Sequence, residues 1–169
     1  MPSQSHLTRA YVGLGSNLDN PPARVRSALG ALDAIPGTCC VAQSSLYRST
    51  PLGPPGQPDY VNAVAALDTH LSAATLLAEL QKIEAQQGRV RGGLRWGPRT
   101  LDLDLLLFGE ERHDEAFLTV PHPGLPRRNF VLYPLAEIVP ELAIPGLGSL
   151  RGLIDACPGH GLFRLPASP

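Results

Sequence analysis

The amino-acid sequence predicts an α+β fold, in which helices pack against a sheet. Apolar residues recur first at strand spacing and then at helix spacing, in the order strand–helix–strand–strand–helix–strand. This is the order of a split βαβ unit, here with further elements appended. The 169 residues, 43% hydrophobic and 17% charged, are enough to bury a substantial core. We therefore expect residues 1–169 to form a single domain.

The first part of the chain predicts a strand, a helix and a second strand. Residues 10–17 suit a buried strand that runs into a glycine turn. Asn20 followed by two prolines predicts a helix start with a side-chain cap, and the Pro-Gly pair at 36–37 predicts its end. Residues 39–48 suit the second strand. The helix has apolar residues at helical spacing, namely Val25, Ala28, Leu29 and Leu32.

The middle of the chain predicts a stiff loop and then another strand. Residues 49–58 contain four prolines, but an ordered pattern resumes directly after them. In the strand at 59–67, alternate side chains should point to opposite faces of the sheet. Tyr60, Asn62 and Val64 then share one face, and the residues between them share the other.

The remaining elements are less evenly predictable. A second helix should begin at the cap residue Ser72 and end at a glycine before the basic, glycine-rich loop 89–99. Residues 101–108 predict a strand, and residues 129–138 suit either a helix or a strand. The tail, 140–169, is rich in Gly and Pro and supports no assignment.

Composition narrows the range of partners and compartments. The formal net charge is −1, which gives no reason to expect a nucleic acid or an anionic membrane as partner. The three cysteines have no C-x-x-C or zinc spacing, so reduced thiols are expected. No signal peptide is apparent, and no apolar run is long enough to span a bilayer. These features predict a soluble, cytoplasmic protein.

Two carboxylates interrupt the very apolar run LDLDLLLF at 101–108. On a strand, Asp102 and Asp104 point the same way, with Cα atoms roughly 6.5 Å apart. Hard oxygen ligands in such a pair favour Mg²⁺ together with substrate phosphates. The alternative is an amphipathic strand whose aspartates are simply solvated. The opposite face should supply core packing through Leu101, Leu103, Leu105 and Leu107.

The loop before this strand is strongly basic. Arg89, Arg91, Arg95 and Arg99 lie within eleven residues, and Trp96 is among them. Arginine forks grip phosphate oxygens, so the loop beside two metal-suited acids indicates a nucleoside triphosphate site. A solvated loop that pairs with nearby acids is the alternative.

Other candidate residues are ambiguous when taken one by one. GLGSNL at 13–18 lacks the third glycine of a dinucleotide fingerprint and the Lys-Ser/Thr of a P-loop, so a tight turn explains its glycines. Gln81 and Glu84 share a helix face, and His122 could contact phosphate or cap a turn. Ordinary solvated or structural roles would account for each of them.

Taken together, several segments resemble one family, the 6-hydroxymethyl-7,8-dihydropterin pyrophosphokinases of folate biosynthesis. The resemblance covers roughly residues 9–142, and RWGPRTLDLD is its most specific piece. The matching segments, in chain order, are YVGLGSNL (11–18), YRSTPLG (47–53), QPDYVNAV (57–64), QKIEAQQGRVR (81–91), RWGPRTLDLDLLLF (95–108), VPH (120–122) and RNF (128–130).

The resemblance implies transfer of pyrophosphate from ATP to the hydroxymethyl group of the pterin, with release of AMP. It also implies a three-layer α-β-α sandwich with a ferredoxin-like core, a mostly antiparallel sheet, and a monomer. Two Mg²⁺ ions are implied, with ATP as co-substrate. No nucleic-acid or membrane partner is implied.

The resemblance also assigns roles to residues. Arg89 and Arg99 assist the transfer, and Asp102 and Asp104 bind the metal ions. ATP contacts fall to Gln81, Glu84, Arg91, His122 and Arg128. The pterin pocket is formed by Ser49, Thr50, Pro51, Leu52, Gly53, Tyr60, Asn62, Trp96 and Phe130.

Two protein classes of other kinds agree less well with the sequence. A split-βαβ RNA-binding module would need exposed aromatics on its central strands, whereas aromatics make up only 5% of the chain. A two-metal phosphoesterase could use the same aspartates but lacks an evident general base and further metal ligands.

Overall fold

The computed structural model describes residues 6–17, 20–50, 59–87 and 101–166. Its main sheet has six antiparallel strands in the order β10-β3-β4-β1-β5, with β2 also paired to β4. Two small hairpins, β6-β7 and β8-β9, lie apart from it. The strands are β1 (Thr8–Ser16), β2 (Thr38–Gln43), β3 (Tyr47–Ser49), β4 (Tyr60–Thr69), β5 (Asp102–Phe108), β6 (His113–Glu115), β7 (Leu118–Val120), β8 (Ala143–Ile144), β9 (Gly148–Ser149) and β10 (Leu162–Arg164).

Helices cover both faces of the sheet. One face packs against α1 (Pro21–Asp33) and α2 (Ala73–Gln87), and the other packs against α3 (Asn129–Ile138) and α4 (Leu150–Asp155). Each face forms its own buried apolar cluster. The predicted three-layer α-β-α sandwich with an antiparallel sheet is therefore confirmed. Within the described ranges, no helix is both long and apolar enough to cross a bilayer.

The central strand β4 shows why a strand in this fold has few polar residues. Val61, Ala63 and Ala65 belong to the cluster under α1 and α2. Val64 and Ala66 belong to the cluster under α3 and α4. The predicted alternation is correct, and both faces are buried because helices lie on each side.

The edge strand β5 departs from simple alternation near its end. Tyr11 pairs with Leu107 while Val12 pairs with Leu105, so Leu106 is an extra residue in a β-bulge. Leu101, Leu103 and Leu105 face the α1–α2 cluster as predicted, but Leu107 packs in the opposite cluster. The prediction for Leu107 was wrong because the bulge reverses the alternation there.

The helix starts follow the prediction in one case and not in the other. In α2, Ser72 accepts a hydrogen bond from the Thr75 backbone N–H at 3.2 Å, as a capping serine should. In α1, Asn20 has a left-handed backbone (φ 61°) and its side chain makes no capping bond, so that prediction was wrong. A capping side chain requires an extended backbone at this position, which Asn20 lacks.

The predicted single strand at 39–48 is two strands, β2 and β3. They are separated at Ser44, which stays bonded to Val64 of β4 partly through its hydroxyl, and at Ser45, which turns to Glu137 of α3. The Ser44 hydroxyl accepts from the Val64 N–H at 2.9 Å, and the Ser45 N–H donates to the Glu137 carboxylate at 3.0 Å. Both strands still pair with β4.

The last part of the chain is structured and completes the sheet. Residues 129–138 form the helix α3 rather than a strand, and β10 pairs with β3. Glu137 of α3 holds this edge together: it accepts from the Tyr47 hydroxyl at 2.7 Å and from Arg164 Nη2 at 3.1 Å. Burial and the hydrogen bond to Glu137 raise the pKa of Tyr47 to about 12.

Candidate active site

A cavity of about 610 Å³ opens where strands β1, β4 and β5 meet the beginning of α3. Its walls come from six segments of the chain: the strands β1, β4 and β5, the end of β3, the segment that leads into α3, and the loop that precedes β10. The lining residues are Gly13, Leu14, Gly15, Ser49, Thr50, Tyr60, Asn62, Ala63, Asp102, Asp104, Arg127, Arg128, Asn129, Phe130, Val131, Cys157, Pro158, His160 and Gly161.

The floor of the cavity is a row of paired residues on adjacent strands. Gly15 pairs with Asn62 on one side and with Asp102 on the other, so all three face the cavity. One step along the sheet, Gly13 pairs with Asp104. A Cβ atom added to Gly15 would lie 2.9 Å from the Asn62 Nδ2 atom. The glycine therefore leaves room between an amide and a carboxylate.

The sequence predicted that the floor glycines lie in a turn, but neither of them does. Both lie inside β1, and neither has the positive φ found at Gly37 or Gly161. The turn prediction for these glycines was wrong. Their lack of a side chain, not their backbone freedom, is what the cavity requires.

Asn62 is held in one orientation by a buried neighbour. The Ser49 hydroxyl donates to Asn62 Oδ1 at 2.7 Å, and both residues are buried. This bond turns Nδ2 of the amide towards Gly15 and the cavity. Tyr60 and Thr50, two more residues predicted for the pterin pocket, line the same cavity.

The second aspartate lies beside two basic side chains. Asp104 Oδ2 is 3.8 Å from Arg128 Nη1, and Asp104 Oδ1 is 3.9 Å from His122 Nε2. Burial lowers the pKa of His122, an effect that the charge of Arg128 reinforces and that of Asp104 opposes. The His122 ring is thus kept neutral to lower pH than an exposed histidine.

The tautomer of His122 follows from its other ring nitrogen. Nδ1 accepts a hydrogen bond from the Gly124 backbone N–H at 3.0 Å. The proton of the neutral ring must then lie on Nε2, which is the nitrogen closest to Asp104. His122 can therefore donate a hydrogen bond towards the carboxylate end of the cavity.

Arg128 is positioned by packing as well as by charge. Its guanidinium carbon is 5.7 Å from the centre of the Phe130 ring, a cation–π geometry. A Cβ atom on Gly124 would lie 2.6 Å from Arg128 Nε, so the guanidinium lies flat against that glycine. Phe130 also lines the cavity. Arg128, a cation that can bind an anion, thus lies beside Phe130, an aromatic ring that can stack on a planar heterocycle.

The two aspartates fit a magnesium site of the kind that shares its ligands with substrate. Both carboxylates project from one face of β5 opposite glycines, so no neighbouring Cβ fills the space in front of them. No cluster of three or more His, Cys, Asp or Glu suited to a metal occurs among the described residues. The protein would then supply two oxygen ligands and leave the rest to water and phosphate, as Mg²⁺ commonly accepts.

The two predicted ATP residues on α2 do not line the cavity. Glu84 is buried, and its Oε2 accepts from the Leu103 backbone N–H at 2.8 Å. Leu103 lies between the two aspartates on the edge strand, so Glu84 fixes the strand that carries them. Gln81 is exposed on the same helix.

Several predicted site residues fall outside the described ranges. They are Arg89, Arg91, Arg99, Trp96, Pro51, Leu52 and Gly53. Their proposed roles in catalysis, ATP binding and pterin binding stay predictions.

Sequence reasoning missed part of the cavity wall. Arg127, Asn129 and the residues Cys157, Pro158, His160 and Gly161 all line it. Arg127 directly precedes the segment RNF (128–130) and Asn129 lies within it, so their position in the sequence was an available signal. The tail residues carried no such signal, because a Gly- and Pro-rich stretch shows no periodicity.

A second cavity, of about 700 Å³, lies against α1 and the end of β10. None of the predicted site residues lines it. The smaller cavity is therefore the candidate active site, because it brings the carboxylates, the bases and the aromatic ring together.

Comparison with known proteins agrees with this geometry. The family model described as 7,8-dihydro-6-hydroxymethylpterin-pyrophosphokinase matches residues 11–140. A Pseudomonas aeruginosa protein named 2-amino-4-hydroxy-6-hydroxymethyldihydropteridine pyrophosphokinase is 54% identical over 162 residues, covering 96% of this chain and 99% of the relative. A Haemophilus influenzae protein of the same name is 47% identical, covering 94% of this chain and 99% of the relative.

Solved structures agree on the fold. A crystal structure of Plasmodium falciparum HPPK-DHPS superposes with a TM-score of 0.74 at 12% identity, covering 98% of this chain and 48% of that one. A second, of the S436F/A437G/A613S triple mutant, gives a TM-score of 0.72 at 14% identity, covering 91% and 45%. This chain thus spans about half the length of those structures. The resemblance noted in the seven sequence segments is confirmed, and the chain belongs to the 7,8-dihydro-6-hydroxymethylpterin-pyrophosphokinase family.

Proposed function

We propose that this protein transfers pyrophosphate from ATP to the hydroxymethyl group of 6-hydroxymethyl-7,8-dihydropterin and releases AMP, a step of folate biosynthesis. The observation that carries the proposal is the row Asn62–Gly15–Asp102 across three strands. It joins an amide suited to a heterocycle edge to a carboxylate suited to a metal, within one cavity. Because the chain belongs to this family, we assign the pterin to the amide end of the cavity and ATP to the carboxylate end.

The bond changes follow from the products. Release of AMP means that the pterin hydroxyl oxygen bonds to the β-phosphorus of ATP while the bond from that phosphorus to the α–β bridging oxygen breaks. AMP leaves with the bridging oxygen, and the hydroxyl proton passes to solvent. Such a transfer depends mainly on alignment and charge neutralisation rather than on a protein nucleophile.

The pterin would lie at the Asn62 end of the cavity. The amide Nδ2 can donate to a ring acceptor, because Ser49 occupies Oδ1. Phe130 offers a stacking face. We propose Trp96 as the second face of this slot, and Tyr60, Ser49, Thr50 and the 51–53 loop as its sides.

The triphosphate would lie at the Asp104 end. Arg128 and the neutral His122 both present donors there. Asp102 and Asp104 would hold two Mg²⁺ ions, which supply positive charge to the phosphate oxygens as the leaving group departs. Arg89, Arg91 and Arg99 are proposed to complete the positive surroundings. Gln81 and Glu84 are proposed ATP contacts, although Glu84 has a structural bond as well.

We also propose that residues 1–169 act as one domain, as a monomer in the cytoplasm. The single-domain proposal is supported by β10, which adds a strand from the tail to the sheet that β1 and β4 build. Light scattering coupled to size exclusion would test the monomer.

The proposed reaction has a direct test. Incubation of the protein with Mg·ATP and 6-hydroxymethyl-7,8-dihydropterin should give AMP and the pterin diphosphate in equal amounts, and EDTA should stop it. Asp102→Asn and Asp104→Asn should each reduce turnover by several orders of magnitude while the protein remains folded. ADP as the product, or near-normal AMP formation by both variants, would contradict the proposal.

A further inference from the structure

The loop from Cys157 to Gly161, which joins α4 to β10, forms one wall of the cavity. Cys157, Pro158, His160 and Gly161 all line it. The loop faces Asn129 and Phe130 at the start of α3 and Thr50 at the end of β3. It therefore lies at the end of the cavity where the pterin is proposed to bind.

Every backbone carbonyl of this loop accepts a hydrogen bond from the protein. The Tyr133 hydroxyl donates to Cys157 O at 3.0 Å, and the Leu162 N–H donates to Gly159 O at 3.3 Å. Asn129 Nδ2 donates to both Pro158 O at 3.1 Å and His160 O at 3.0 Å. Surface loops usually leave such carbonyls to water. This one is held in a fixed shape.

Two glycines allow the loop to come so close. A Cβ atom on Gly159 would lie 3.2 Å from the ring of Tyr133. A Cβ atom on Gly161 would lie 2.6 Å from Thr50 Oγ1, and Gly161 has a φ of 74°. Its carbonyl accepts from both the N–H and the hydroxyl of Thr50, at 3.1 and 3.2 Å. Only glycine at position 161 satisfies the space and the backbone together.

We propose that the loop Cys157–Gly161 is the outer wall of the pterin-binding slot, and that Asn129 is the positioning residue that holds it. This proposal rests on the proposed function. Because the loop is fixed before ligand arrives, binding need not order it, and its loss should weaken pterin binding selectively. The carboxylate end of the cavity is formed by β5 together with His122 and Arg128, none of which bonds to this loop, so ATP binding should be unaffected.

The structure provides a matched pair of glycines for the test. Gly161→Ala places a methyl group against Thr50 at a positive φ. Gly148→Ala, in β9, places one at a φ of 91° with no atom within 4 Å and away from the cavity. Both variants carry the backbone strain of a positive φ, but only Gly161→Ala should displace the wall. Asn129→Ala removes the hydrogen bonds to Pro158 O and His160 O without adding backbone strain. It replaces Gly161→Ala as the test variant if Gly161→Ala does not fold.

The measurements are the dissociation constants of the pterin and of Mg·ATP, with thermal unfolding of each variant. Gly161→Ala and Asn129→Ala should weaken pterin binding about tenfold or more and change Mg·ATP binding less than twofold. Gly148→Ala should lower the unfolding temperature and leave pterin binding unchanged. If all three variants bound the pterin with an affinity within twofold of wild type, the proposed role of the loop as a wall would be wrong, while the proposed function would be unaffected. Wild-type protein that neither binds the pterin nor forms AMP would overturn both.

Discussion

Replacing Gly15 with alanine tests the geometry of the cavity floor. The added Cβ would lie 2.9 Å from Asn62 Nδ2, whereas ordinary contacts begin at 3.4 Å. The amide must therefore retreat by about 0.5 Å, and the 2.7 Å bond from Ser49 that holds it must stretch beyond the usual range for O–H···O. Asn62 is buried, so no water readily replaces that bond.

The expected costs follow from these contacts. Inserting a methyl group into a filled space costs about 1–3 kcal/mol, a range that includes a weakened buried hydrogen bond of about 0.5–1.5 kcal/mol. Loss of one bond from Asn62 to the pterin should raise its dissociation constant by roughly two- to tenfold, since about 1.4 kcal/mol is a factor of ten. Binding of Mg·ATP should change less, because the added Cβ meets only Asn62 Nδ2 within 4 Å among the described residues and does not reach the paired Asp102.

The control is Gly13→Ala on the same strand and face. Its Cβ would meet the Leu106 side chain at 3.4 Å, an ordinary contact with a flexible group. Urea unfolding gives the stability of both variants, and titration with the pterin gives its affinity. If Gly15→Ala matched Gly13→Ala in stability and in pterin binding, the argument that position 15 must lack a side chain would be refuted.

Three further changes test other parts of the structure. Glu84→Ala removes the acceptor of the buried Leu103 N–H and should lower the free energy of unfolding, measured in urea, by about 1–3 kcal/mol. Glu84→Gln keeps an acceptor oxygen and should lower it less. Equal losses in the two variants would contradict the role of the hydrogen bond. Gly30→Ala, in the interior of α1 with open space around its Cβ, should stabilise the protein by about 0.5–1 kcal/mol, and a lower unfolding temperature would count against this. Burial would raise the pKa of Glu137, but hydrogen bonds from Tyr47 and Ser45 and the charge of Arg164 outweigh this effect and lower that pKa. The free energy of unfolding should therefore fall as the pH drops below 4.5 and then through the lowered pKa. In Glu137→Gln, the free energy of unfolding should depend less on pH in this acid range. If the pH dependence were unchanged, Glu137 would not be its cause.

Periodicity predicted the regular elements because burial on a helix or strand repeats at a fixed interval. It placed α1 and α2 within a few residues and put Asn62 and the two aspartates on the correct faces. It failed at Leu107, because a bulge adds one residue without any mark in the sequence. It also treated 39–48 as one strand, because the break depends on Glu137, ninety-two residues away from Ser45.

The cavity wall at 157–161 could not be predicted from the sequence for a different reason. Its interactions are made by backbone carbonyls, which every residue carries, and the donors lie on α3, on β10 and at Thr50, directly after β3. A pattern of side-chain types contains no trace of such bonds. Long-range hydrogen bonds of this kind become visible only when the fold is known.

The glycines of GLG at 13–15 show how the same residues can be explained by two different physical causes. A turn needs glycine for its positive φ, whereas a strand admits glycine only where something must approach closely. Gly13 and Gly15 have ordinary strand backbones and pair with Asp104 and Asp102. Two residues spaced by two on β1 thus clear the space in front of two carboxylates spaced by two on β5. The shared spacing matters because paired strands keep their register: a shift of one residue would turn the carboxylates into the core and destroy the site and the packing together.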